Sequence, residues 1–173
     1  MKIAIAIQSC AAYKDRRDAI RRTWLKDVPR GIDTFFFVGG DGVEDAIKLE
    51  CKDGYENCAE KQLEMIRNLK GYDHVFFCDD DTYIVPDRLF LSGFEQHDYM
   101  GCPCEIDGRG VMMAQGGAGF WLSKKAMNEG LKVYEKYPPI STHSDQFVGY
   151  LMCGTVKLHG DFRFNLGKYN GNT

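Results

Sequence analysis

Short unbroken apolar runs alternate along the first half of this chain with stretches in which apolar residues recur every three or four positions. Residues 2–8 form the first run, whose length predicts a buried strand. From Lys14 to Leu25 the spacing is helical: Ile20 and Trp24 lie four apart, Arg17 lies three before Ile20, and all three share a face. Asp15 is the candidate N-cap of that helix. Asp33-Thr34-Phe35-Phe36-Phe37-Val38 predicts a second buried strand, ended by Gly39-Gly40, with a polar stretch to about Gly54. Ala59, Leu63 and Ile66 mark an amphipathic helix ending near Gly71, and His74-Val75-Phe76-Phe77-Cys78 is a third strand.

The second half is less regular. Gly101 to Gly116 predicts a loop or loose hairpin, and Phe120-Trp121-Leu122 a strand. Ser123 can cap a helix with Met127, Leu131 and Tyr134 on its apolar face, stopped by Tyr137-Pro138-Pro139. A last helix starts near Ser144 with Phe147, Val148, Leu151 and Met152 on one face. Strand, helix, strand, helix, strand with short links is the grammar of an open α/β sheet. The absence of internal repeats or a low-complexity linker predicts one domain over residues 1–173.

Composition narrows the function classes. Of 173 residues, 44% are hydrophobic and 27% charged, which is a globular composition. A net charge of −3 argues against a nucleic-acid partner, which calls for a basic excess. The cluster Arg16, Arg17, Arg21 and Arg22 suits a small anion instead. Seven cysteines without a Cys-x-x-Cys pair argue against structural zinc; buried free thiols are the plain reading, with one or two disulfides the alternative. The apolar run after Met1 is too short to span a membrane and lacks a signal-cleavage pattern. As it stands the chain reads as cytoplasmic, with the Golgi lumen the alternative where an anchor has been removed.

The chemistry concentrates in Asp79-Asp80-Asp81, at the carboxyl end of the third predicted strand. Open α/β sheets bind ligands outside the carboxyl ends of their strands. Three adjacent carboxylates repel one another, and a hard divalent cation relieves that cost. In an extended segment Asp79 and Asp81 point to one side: one can ligate a metal that also bridges a nucleotide diphosphate, and the other can reach the ribose. A solvated acidic turn is the plain alternative. Arg16 and Arg17, at the start of the first helix, are placed to meet phosphate or the uracil edge, whereas Arg21 and Arg22 suit a solvated face. Gly116-Gly117-Ala118-Gly119 fits neither a P-loop nor Gly-x-Gly-x-x-Gly, but glycines there permit a tight turn or close approach of a ligand. Asp145, at a predicted helix start, is either a helix-stabilising carboxylate or a general base.

Together these blocks resemble the Fringe and β-1,3-galactosyltransferase family, glycosyltransferase family 31. Residues Arg16 through Trp24 look like that family's arginine-rich block ending in Thr-Trp. Asp53-Gly54-Tyr55-Glu56-Asn57 with Lys61, and Phe76 through Tyr83, are similar to its next two blocks, the second being its DxD block. Gly116 through Ser123 and Ser144 through Gly149 match two downstream blocks. The resemblance implies a GT-A (Rossmann-like nucleotide-diphospho-sugar transferase) fold with a mixed, mostly parallel central sheet flanked by helices. It implies a UDP-sugar donor, a glycan or glycoprotein acceptor, Mn²⁺ (or Mg²⁺), and inversion at the anomeric carbon, commonly forming β-1,3 links. Asp81 aligns with the metal-binding aspartate, Asp79 with its partner, and Asp145 with the position of the base. The donor-contacting set is then Arg16, Arg17, Lys61, Asp79, Asp80, Gly117, Ala118, Gly119 and Arg163, with Asp79 and Asp81 rather than Asp80 facing the donor.

Two departures qualify the match. Arg163 or Asn165 stands where the family supplies a metal-binding histidine, and His159 is out of register. The ion would then be held by the DxD carboxylates and diphosphate, or Arg163 would neutralise phosphate directly. The chain is also short for the family. Two other functions compete with transfer: a sugar-nucleotide-binding module without turnover, and a metal-dependent nucleotide phosphohydrolase.

Overall fold

β1 (Ile3–Gln8) lies between two parallel neighbours, with Ala6 opposite Phe35 on one side and Phe77 on the other. Strands hydrogen-bonded on both edges and covered on both faces read as continuous apolar runs, and every residue of β1 is buried. The computed structural model describes residues 1–41, 43–138 and 141–165. In chain order β1 is followed by α1 (Lys14–Arg22), β2 (Asp33–Val38), β3 (Ile47–Lys48), α2 (Cys58–Leu69), β4 (His74–Asp79) and α3 (Pro86–Phe90). Then come β5 (Tyr99–Gly101), β6 (Pro103–Glu105), β7 (Met112–Ala114), β8 (Phe120–Ser123), α4 (Lys124–Lys136), α5 (Ser144–Met152) and β9 (Leu158–Gly160).

Among the described residues the main sheet has seven strands in the order β3-β2-β1-β4-β8-β5-β9. Only β8 runs against the others, pairing antiparallel with β4 and β5. The expected mixed, mostly parallel sheet flanked by helices is therefore present. Side chains alternate across β1 and β4 and divide the core in two. Ile3, Ile5, Ile7, Phe76 and Cys78 pack with Ile20 and Trp24, and with Leu89 of α3. Ala4, Ala6, Val75 and Phe77 pack with Leu63 and Ile66 of α2, Met127 of α4 and Phe147 and Leu151 of α5.

The local signals mostly act where the sequence puts them. Ser123 caps α4, its hydroxyl accepting from Ala126 N–H at 3.1 Å. Tyr137 ends that helix; Pro139 lies outside the described residues. The first helix is shorter than its spacing predicts. Thr23 Oγ1 donates to the Ala19 carbonyl at 2.7 Å, and the chain tightens into a 3-10 turn over Trp24–Asp27. Tyr13, not Asp15, occupies its N-cap, so Asp15 sits in the first turn instead. The 101–116 stretch contains the β6–β7 hairpin, with Pro103 opposite Ala114. Among the described residues no helix is long and apolar enough to cross a membrane.

Candidate active site

The sheet's alternation gives the first two aspartates different surroundings. β4 ends at Asp79, opposite Gln8, and the chain then turns, with Thr82 N–H donating to the Asp79 carbonyl at 3.1 Å. Asp80 continues the side of Phe76 and Cys78 and meets the start of α1. It is buried, accepting from Ser9 Oγ at 2.7 Å and from Arg16 Nη1 at 2.9 Å. Arg16 also reaches Asp81 at 3.5 Å and lies over the Tyr13 ring, 4.3 Å from its centroid. Asp81 is two-thirds exposed. The extended geometry that would align Asp79 with Asp81 thus stops at Asp79, because the following residues form a turn.

Asp79 faces the other side. No hydrogen bond or ion pair among the described residues reaches its carboxylate. Burial, reinforced by Asp81, Asp80 and then Asp145, pushes its pKa up to about 6. Asp145 comes from the first turn of α5, whose N-terminal dipole suits a carboxylate. Its Oδ2 accepts from Gly116 N–H at 3.2 Å and its Oδ1 from Gln146 N–H at 2.8 Å.

A short backbone network ties the strand end that carries Asp79 to the glycine turn whose Gly116 N–H binds Asp145. Thr82 Oγ1 accepts from Asp79 N–H and donates to the Gly117 carbonyl, each at 3.2 Å. Gly117 is exposed and Ala118 buried within the turn that ends at Gly119. Gly119 has φ +74°, and a Cβ there would run into the Phe76 ring. This glycine is therefore required by close approach of an aromatic side chain.

Two expected donor contacts turn out to be scaffold. Arg17 is fully buried. Its guanidinium donates to Ser9 Oγ, to the Cys10 and Ala11 carbonyls, and to both oxygens of Asp45. All five N–H groups are thereby engaged, leaving none for phosphate or uracil. Arg17, with Arg21, holds the Asp45 carboxyl down at about 2. Lys61 is 1% exposed and pairs with Asp53 Oδ1 at 2.7 Å while donating to the Ser9 and Asp53 carbonyls at 3.0 Å each. Asp53 in turn accepts from Ala11 N–H at 2.6 Å and Gly39 N–H at 2.8 Å, tying together the ends of β1 and β2. These residues shape the loop after β1 and do not project from it.

Arg163 lies elsewhere, at the rim of a cavity of about 660 Å³ bordered by Phe76, Thr82, Ile84, Ala118 and Phe164. Its guanidinium is held by Asp161, at 2.6 Å from Nη2, and donates to the Ser92 carbonyl at 2.9 Å. His159 stacks on His97 with ring centroids 3.6 Å apart. Among the described residues no group of three or more His, Cys, Asp or Glu side chains is placed to hold a metal ion. The structure therefore brings together Arg16, Asp79, Asp80, Asp81, Gly117 and Asp145, while Arg17 and Lys61 are engaged by the loop after β1 and Arg163 by Asp161 and the Ser92 carbonyl. Sequence reasoning overlooked Ser9, Asp45 and Thr82. Ser9 carried a signal as a hydroxyl directly after a buried strand, and Thr82 by its place directly after the acidic triplet, whereas Asp45 carried none.

No protein-family model matches the sequence, and no curated protein matches it. Solved structures do match. The apo-form glycosyltransferase GlyE of Streptococcus pneumoniae TIGR4 has a TM-score of 0.57 at 15% identity, over 95% of this chain and 46% of that one. A second GlyE structure gives 0.54 at 12% identity, with the same coverage. The 2-C-methyl-D-erythritol 4-phosphate cytidylyltransferase of Thermus thermophilus gives 0.53 at 14% identity, over 92% of this chain and 89% of that one. At these identities the likeness is one of fold: a Rossmann-like, mixed and mostly parallel sheet flanked by helices. The chain spans less than half the length of GlyE.

Proposed function

We propose that this chain is an inverting glycosyltransferase of the Fringe-like family 31 type, moving a sugar from a UDP-sugar to an acceptor hydroxyl with formation of a β-linkage. The observation that carries this reading is the Asp79 carboxylate: partly buried at a strand's carboxyl end, without a partner among the described residues, and crowded by Asp81, Asp80 and Asp145.

An uncompensated carboxylate beside a second, exposed one is donor chemistry that fits a hard divalent cation. Asp79 and Asp81 would hold Mn²⁺ or Mg²⁺. Such an ion supplies Lewis-acid stabilisation of the charge on departing diphosphate. Asp80 serves differently, fixing Arg16 through the 2.9 Å ion pair at the mouth of the site. Arg16 then presents its remaining N–H groups toward the donor.

Asp145 is the base. Gly116 N–H and Gln146 N–H set the orientation of its carboxylate, and a further lone pair takes the proton of the acceptor hydroxyl. As that proton leaves, the acceptor oxygen forms its bond to the anomeric carbon from the face opposite UDP, and the bond to the diphosphate oxygen breaks. One displacement inverts the centre, and no covalent enzyme intermediate is required.

The deciding experiment measures UDP release from a panel of UDP-sugars with Mn²⁺, with and without glycan acceptors. Acceptor-dependent release that disappears in Asp145→Asn, with UDP binding retained, is the expected outcome. Release without any acceptor would favour a phosphohydrolase. A second reading, a sugar-nucleotide-binding module, draws on the lack of a three-residue metal cluster among the described residues. Binding without release in every combination would favour it.

A further inference from the structure

Cys10 and Lys61 meet beneath the loop that follows β1. Cys10 is half-buried, whereas Lys61, from α2, is 1% exposed. Lys61 Nζ lies 3.3 Å from Cys10 Sγ, and the thiol donates to the Asp53 carbonyl, also at 3.3 Å. Around the same nitrogen stand the Ser9 and Asp53 carbonyls and the Asp53 carboxylate. An ammonium has three hydrogens, and these three oxygens already satisfy them. The sulfur contact is thus additional to what keeps a buried lysine stable. It places a partly accessible thiol and an amine nitrogen in van der Waals contact on a scaffold that cannot easily separate them.

We propose that Cys10 and Lys61 form a reversible sulfur–oxygen–nitrogen crosslink when the protein meets hydrogen peroxide. In the first step the thiol loses two electrons and becomes a sulfenic acid, while one peroxide is reduced to water. In the second, the amine nitrogen loses two electrons to another peroxide, and an N–O bond forms to the sulfenic oxygen. Overall, one thiol, one ammonium and two peroxides yield one S–O–NH link, three waters and one proton. Four equivalents of a small thiol reverse it, returning the thiol, the amine and one water with two disulfides. Neighbouring reactants held in place replace a bimolecular encounter with a local one, which is what makes this route competitive with overoxidation.

Crosslinking removes the charge on Lys61, so the Asp53 carboxylate keeps only the Ala11 and Gly39 N–H groups. Oxidation would therefore alter the loop that carries Ala11 and leads into α1. This chemistry needs only the geometry of the pair and holds whether or not the chain is a transferase.

The test treats the purified full chain with hydrogen peroxide, raised until the exposed Cys153 is oxidised, and digests it without reductant. Mass spectrometry is expected to find the Cys10 and Lys61 peptides joined, at their summed mass plus one oxygen and minus two hydrogens. Lys61 should escape tryptic cleavage in that species. Dithiothreitol should separate the peptides, and Cys10→Ser should never yield them. Recovery of Cys10 unmodified, as sulfinic or sulfonic acid, or in a disulfide, with Lys61 intact, would overturn the proposal. The wild-type digest decides this even if the variant folds poorly.

Discussion

Thr82 Oγ1 donates to the Gly117 carbonyl oxygen at 3.2 Å, linking the acidic turn at the end of β4 to the glycine turn that holds Asp145. The same hydroxyl accepts from Asp79 N–H. Thr82→Val keeps the shape and removes both bonds. At about 1 kcal/mol each, their loss should lower kcat roughly ten- to thirty-fold with a smaller change in donor KM. Thr82→Ser should restore most of the rate. Full rate in Thr82→Val with loss in Thr82→Ser would mean that the methyl group, not the hydroxyl, matters.

The raised pKa of Asp79 has a definite consequence for stability. Its folded value of about 6 lies above the ordinary 3.8, so the folded state holds this proton more tightly than the unfolded state. Between those values stability falls as pH rises, and above about 6 the whole cost of ionisation is present. Asp79→Asn should therefore raise the melting temperature relative to wild type at about pH 7.5 and show little gain at about pH 4. Adding Mn²⁺ at the higher pH should stabilise the wild type more than the variant. Thermal unfolding across pH, with and without the ion, checks both statements.

Arg17 and Asp45 form the most completely satisfied ion pair near the site. Asp45→Asn would leave a fully buried guanidinium facing a neutral group, a change that is strongly destabilising at buried pairs. Since Asp45 is 26% exposed, water offsets part of that cost, and about 2 kcal/mol is expected from urea unfolding. Arg21, which shares Asp45 at 2.8 Å, should matter less, because its side chain is one-third exposed.

Gly119→Ala should cost about 2 kcal/mol or more, because it combines a left-handed backbone with intrusion on Phe76. Gly117→Ala, at an exposed position in the same turn, should cost much less. Comparing the two by thermal unfolding separates the packing demand on this turn from its proximity to Asp145.

The strands and helices were legible where periodicity was long and undisturbed. β1, β2, α2 and β4 emerge close to their predicted limits because apolar runs covered on both faces leave few alternatives. β5 and β9, of three residues each, carry no pattern of their own and owe their place to neighbours in the sheet. The site was legible in part. Strand-end position singled out the aspartates, and helix-start position together with the family resemblance singled out Asp145. Arg17 looked like a ligand contact because it opens the helix that follows the first strand, and Lys61 because the family resemblance includes it in a matching block. Nothing in their local sequence announces Asp45 or the carbonyls of Ser9 and Asp53, which reach them from other segments.

Three consecutive aspartates at the end of β4 also confer a tolerance. Were the strand to slip by one residue toward its start, Asp80 would inherit the post of Asp79, and Asp81 that of Asp80, so a carboxylate would still meet each side of the sheet. What forbids the slip lies one step earlier, where Asp79 would enter the apolar slot of Cys78, a residue 4% exposed in the core. The parity of the acidic edge is thus guarded by the core beneath it, while the triplet itself is redundant to such a shift.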